Sequence, residues 1–140
     1  MNTLQKAAGG ITIGILLGVG IFGYKLSHPP TRSFAPFMGV TRIKVFDAQG
    51  NATVINNPGR IASICAFVNR YPDQWGGAED RFGVPIPSVK ADFSAGQIFL
   101  GHFGAGTNFF ETQRDGDFAS HRASVAEVST FLRLVGGIKP

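Results

Sequence analysis

Residues 7–24 read AAGGITIGILLGVGIFGY, eighteen residues without a formal charge, close to the start of a chain of 140 residues. As a helix rising about 1.5 Å per residue, such a stretch spans roughly 27 Å, near the thickness of a bilayer's hydrocarbon layer. Three readings compete for it. A cleaved signal peptide would show a small-x-small site downstream, but Lys25, Leu26, Ser27, His28, Pro29 and Pro30 follow instead. A buried helix of a soluble domain rarely runs this long without charge and straight into proline. The uncleaved single-pass anchor fits best. Lys6 precedes the stretch, and Lys25 and Arg32 follow it, so flanking charge barely orients it. Short N-terminal flanks usually stay in the cytoplasm, which favours a domain on the exported (periplasmic or extracytoplasmic) side.

Gly10, Gly14 and Gly18 recur every fourth residue and therefore line one helix face. Missing side chains there let a second helix approach closely and gain dispersion contacts. Glycine is also simply frequent in membrane helices, but three in register favour a helix partner, either a second copy or another membrane protein.

The chain divides into a short flank at 1–6, the anchor at 7–24, a proline-containing tether at 25–38 and one domain at 39–140. Residues 1–37 carry Lys6, Lys25 and Arg32 and no acid, which is +3. The remaining ten basic residues face nine acidic ones, which is +1. The excess lies beside the span, where anionic headgroups sit, and gives no footprint for nucleic acid. Cys65, the single cysteine, has no partner for an intrachain disulfide and lies in an apolar run, as a core thiol would.

Within the domain, residues 42–46 and 52–56 alternate as two strands around a turn containing Gly50. Asn57 followed by Pro58 starts a helix carrying Ile61, Ile64, Cys65 and Val68, and Pro72 stops it near Arg70. Strands follow around residues 89–93, 97–103, 108–112 and 118–121. Ser124 and Glu127 have capping-box spacing, opening a helix with Val125, Val128, Leu132 and Val135 on one face that ends at Gly136. The order ββαβββ(β)α with short connections predicts an α+β fold, a small antiparallel sheet with two helices packed on one face.

No motif in this domain announces catalysis, cofactor binding or a metal, so the expectation is a non-enzyme. The glycine-rich run at 101–106 lacks the lysine and serine or threonine of a phosphate loop and reads as a bulge or wide turn. His28, His102 and His121 share no metal-ligand spacing. His102 and His121 on neighbouring strands, with Asp92 and Glu111 close by, would make the one constellation able to hold a ligand or metal. Ser120 and His121 are adjacent, so in a strand they face opposite sides and do not work as a pair. Asn51 to Thr53 matches a glycosylation acceptor, a common chance match.

Trp75, beside Gly76 and Gly77, and the adjacent Phe109 and Phe110 are candidate partner contacts, because neighbours in a strand face opposite sides and one of the two phenylalanines can point outward. Burial of all three under helices or under the long connection at 72–88 is the competing reading. The expected function is a membrane-anchored protein-interaction module, such as an accessory subunit of a membrane complex. The alternatives are an envelope inhibitor or immunity-type protein, or a small-ligand or metal-binding envelope domain.

Overall fold

Alternation in Arg42–Phe46 (β1) buries Ile43 and Val45 and leaves Arg42 and Lys44 exposed. The computed structural model describes residues 32–73, 75–76 and 87–136; the expected membrane helix and its glycine face lie outside the described residues. Asp47 shapes the turn out of β1, its Oδ1 accepting from the backbone N–H groups of Gln49 at 2.9 Å and Asn51 at 2.8 Å. Gly50 takes a φ of 84° there, a conformation glycine adopts without strain. Ala52–Ile55 (β2) returns antiparallel to β1, with Ile43 opposite Ile55.

Helix α1, Pro58–Val68, opens as its residues dictate: the Asn57 side chain accepts from the Arg60 backbone N–H at 2.9 Å, and proline fills the first turn, where its missing donor does no harm. Ile61, Ile64, Phe67 and Val68 form its buried stripe. The other elements are Val89–Ala95 (β3), Ile98–Ala105 (β4), Phe109–Arg114 (β5), Asp117–Arg122 (β6) and helix α2, Val125–Val135. All neighbouring strands pair antiparallel in the order β2-β1-β3-β4-β5-β6. The fold is α+β, and the fourth strand of the second run is present.

Both helices bear on the same sheet face. Register places Ile43, Val45, Ala91, Phe93, Phe103, Phe110 and Thr112 together there. Phe67 of α1 and Phe131 of α2 meet over that face, 6.0 Å apart, and both contact the Phe110 ring. Full burial of each such ring stabilises the fold by about 1.5–3 kcal/mol, so this aromatic cluster is the main tie between helices and sheet. Among the described residues no helix is long and apolar enough to cross a membrane.

Residues 32–37, expected to belong to the spacer, are part of this fold. The Arg32 N–H donates to the Trp75 carbonyl at 2.8 Å, and the Phe34 N–H donates to that of Pro72 at 2.8 Å. Phe34 and Phe37 are buried, and the Phe37 ring stacks on Phe93 with centroids 4.2 Å apart. Two phenylalanines this close to a sheet face gain more by covering it than by standing in water. Packing is therefore already in place at Arg32, the first described residue, ahead of the expected start at residue 39.

Candidate functional site

On the sheet face opposite the helices, period-two alternation brings four charged or titratable side chains together from three adjacent strands: Lys90 and Asp92 of β3, His102 of β4 and Glu111 of β5. Asp92 stands directly across from His102, and Gly104 lies between Lys90 and Glu111. Gly104 matters because a Cβ there would come within 3.0 Å of the Glu111 side chain and of Pro87. Its bare backbone leaves the space into which Glu111 and Pro87 lean.

His102 and Glu111 are each 7% exposed, an unusual burial for two groups that can both carry charge. Their closest approach, Nε2 to Oε1, is 3.5 Å, an ion-pair distance and a long hydrogen bond at best. Lys90 Nζ lies 3.6 Å from Asp92 Oδ1 and 5.1 Å from the centroid of the Phe46 ring, which Lys44 also caps at 5.1 Å. The Phe118 ring meets His102 edge-on at 5.6 Å. Two buried atoms here, Asp92 Oδ1 and His102 Nε2, have no hydrogen-bond partner among the described residues. Buried polar atoms are nearly always hydrogen-bonded, and here the Lys90 ammonium and the Glu111 carboxylate stand at ion-pair distance instead.

The cluster differs from the expected constellation in one respect. His121 stands across from Phe110 and therefore on the helix side of the sheet, where its ring lies 5.4 Å from Tyr71 and 5.5 Å from Trp75. His102 points to the opposite face, and β5 separates the two strands. The expected pairing of His102 with His121 is thus corrected, while Asp92 and Glu111 do gather around His102. Among the described residues no group of three or more His, Cys, Asp or Glu has metal-holding geometry. Ser120 faces Glu111 across the β5–β6 pair rather than either histidine.

The three candidate partner aromatics are all buried: Trp75 and Phe110 fully, Phe109 at 8% exposure. Phe109 and Phe110 do face opposite sides of the sheet, but Phe109 packs onto Gly106, where a Cβ would collide with its ring. The Trp75 indole N–H donates to the Tyr71 carbonyl at 2.6 Å, so its polar edge is satisfied inside the core. Their expected outward exposure is not found. Gly10, Gly14, Gly18 and His28 lie outside the described residues. Cys65 is half-buried, and desolvation pushes its thiol pKa up, which keeps it in the unreactive protonated form.

A second feature escaped the sequence reading. Arg114 is 4% exposed, and among the described residues no carboxylate pairs with it. Its Nη1 donates to the Ala35 carbonyl at 2.5 Å and its Nε to Thr112 Oγ1 at 3.2 Å. Burial lowers its pKa to about 10, so it is still charged at neutral pH. It borders a cleft of about 360 Å³ lined by Arg32, Ser33, Phe34, Ala35, Asp115 and Asp117, across which Arg32 and Asp117 pair at 2.7 Å. Beside an Asp-Gly turn Arg114 reads as a solvated loop residue. The available signal was parity: positions 110, 112 and 114 share one face, and Phe110 belongs to the core.

No family model, no curated protein and no solved structure matches the chain.

Proposed function

We propose that the chain is a single-pass, membrane-anchored, non-catalytic protein-interaction module, such as an accessory subunit of a membrane protein complex, with its α+β domain on the exported side. The observation that carries this reading is the uncharged stretch at 7–24 with Gly10, Gly14 and Gly18 in register on one helix face. The packing of residues 32–37 onto the sheet adds support, because it leaves few residues between that stretch and a rigid domain. Partners of this kind are another transmembrane helix, self or foreign, and a protein bound at the membrane surface. An inhibitor or immunity-type protein of the envelope is a variant of the same reading.

The test has two parts. Membranes washed with alkaline carbonate should retain the full chain, and release into the supernatant would refute anchoring. A membrane two-hybrid assay should lose its signal on Gly14→Leu, since a large side chain separates the helices; an unchanged signal would remove the glycine face as the contact.

Asp92 Oδ1 and His102 Nε2, buried without a hydrogen bond among the described residues, favour a second reading, a small-ligand or metal-binding domain. Calorimetric titration of the full chain with Zn²⁺ should then show heat that vanishes in His102→Ala and in Glu111→Gln. No heat with the unmodified chain would dismiss the metal.

A further inference from the structure

Five large apolar side chains are exposed among the described residues: Met38, Val54, Ile98, Phe99 and Val125. Single exposed apolar residues are ordinary, but three of these five belong to one end of the sheet. Ile98 and Phe99, at 67% and 55% exposure, open β4 just after the β3–β4 turn. Met38, at 71% exposure, follows Phe37, whose ring is stacked on Phe93 of β3. The Thr41 N–H donates to the Ser94 carbonyl at 2.9 Å, and the Gly96 N–H donates to Thr41 Oγ1 at 2.8 Å, which fastens the segment carrying Met38 to that same turn.

Antiparallel pairing puts the start of β1, the β3–β4 turn and the β5–β6 turn at this one end. The chain also enters there: Arg32 pairs with Asp117 at the β5–β6 turn before the segment crosses to β1. Upstream of Arg32, residues 25–31 are all that separate it from the uncharged stretch, a path of at most about 28 Å fully extended. Residues 38–42 and 95–100 contain exposed Arg42 and no acid. Among the described residues of these strands and turns, the acidic groups of this end are Asp115 and Asp117 of the β5–β6 turn, where Asp117 pairs with Arg32.

We propose that this end of the domain docks on the bilayer that holds the anchor, with Met38, Ile98 and Phe99 seated at the headgroup–acyl boundary and Arg42 among the headgroups. The inference rests on the anchored reading above. Apolar side chains projecting from a turn, next to an exposed arginine with no ion pair among the described residues, suit an interface that accepts both greasy tips and cations. Docking at a second point fixes the tilt of the domain, so the sheet face bearing His102 and Glu111 has a set orientation to the membrane.

Nitroxide labels decide the matter. The full chain with Cys65→Ser carries one label at Ile98→Cys, Phe99→Cys or, as reference, Val54→Cys, in vesicles of phosphatidylcholine with a minority of phosphatidylglycerol. Flotation is measured on the same samples. Docking predicts that the ratio of oxygen to nickel-chelate collisions is on the order of threefold higher at 98 and 99 than at 54. Flotation with equal chelate access at all three sites overturns docking and leaves the anchor standing. Failure to float overturns both. Shielding of 98 and 99 from both reagents overturns lipid docking, in favour of a contact between copies where labels at 98 also broaden one another and of a covering segment of the chain where they do not.

Discussion

The Arg114 guanidinium lies 4.0 Å from the centroid of the Phe37 ring. Phe37 in turn stacks on Phe93 from the sheet, so one ring is held between a cation and an aromatic partner. Among the described residues, the Ala35 carbonyl, Thr112 Oγ1 and the π faces of Phe37 and Phe34 are what Arg114 has in place of a carboxylate. A desolvated cation–π contact contributes about 2 kcal/mol, and a buried charge deprived of its partners is expensive. Phe37→Ala should therefore destabilise the chain by about 3–5 kcal/mol, lost ring volume included. In Phe37→Leu/Arg114→Met the combined loss should fall short of the sum of the single losses, because each change removes the same contact. Urea unfolding in mild detergent, followed by the fluorescence of Trp75, measures this; strict additivity would show that the contact contributes nothing.

The start of α2 is held by a reciprocal cap. The Glu127 N–H donates to Ser124 Oγ at 3.2 Å, while the Ser124 N–H donates to Glu127 Oε2 at 2.7 Å. That backbone donor, then the Ser124 hydroxyl and Tyr71, hold the Glu127 carboxyl below its ordinary 4.5. A depressed carboxylate stabilises the fold above its unfolded pKa, and that contribution disappears as pH falls through the folded value. The melting temperature should drop on acidification below about pH 4.5, and less steeply in Glu127→Gln. Ser124→Ala should cost about 1 kcal/mol at neutral pH. A pH profile of the thermal midpoint for the three chains checks both.

Tyr71 donates its hydroxyl to Glu127 Oε1 at 2.9 Å. Desolvation first, and then this bond, push its pKa up to about 12 from 10. Because the folded value is the higher one, the stabilisation is complete below pH 10 and is lost as pH rises toward 12. The chain has only two tyrosines. Absorbance at the phenolate band should thus show one ionisation displaced to about pH 12, or coincident with alkaline unfolding, and Tyr71→Phe should abolish that step. A displaced step that survives Tyr71→Phe would contradict the assignment.

What the residues declare locally, they declare well. Asn57 with Pro58, and Ser124 with Glu127, mark both helix starts because capping is settled within four residues. The β1–β2 hairpin is likewise visible from alternation around Gly50. Less legible is anything fixed by distant partners. Antiparallel pairing of β1 with β3 buries Phe93 against Phe37, and no local pattern shows that residues 32–37 leave the spacer for the core. The burial of Trp75 and Phe109 depends on contacts with Tyr71, Phe34 and Gly106, which are tertiary too. For the candidate site, Asp92, His102 and Glu111 were visible as residue types, but the face they share follows from the pairing register of β3, β4 and β5. The β5–β6 register, which sets His121 across from Phe110 on the helix side, is what removes it from the cluster.

Gly101 carries the sharpest backbone demand in the sheet. It sits where the β3–β4 register shifts: Phe93 is opposite Gly101, yet Ser94 is opposite Phe99, so Leu100 is the extra residue of a bulge. Its φ of 146° suits glycine, and a Cβ there would collide with the Gln113 carbonyl of β5. Gly104, three residues on, has an ordinary φ, and an added Cβ meets mainly the movable Glu111 side chain and Pro87 at 3.0 Å. Gly101→Ala should therefore destabilise the chain by on the order of 2–4 kcal/mol, since backbone strain and a collision with backbone have no cheap relief. For Gly104→Ala the loss should be smaller, and its main effect should be displacement of Glu111 from His102. Urea midpoints rank the two variants. The His102 ring resonances, followed by NMR, should move in Gly104→Ala while the fold persists. A Gly101→Ala chain as stable as the parent would mean that the bulge relaxes, and the register between β3 and β4 would need redrawing.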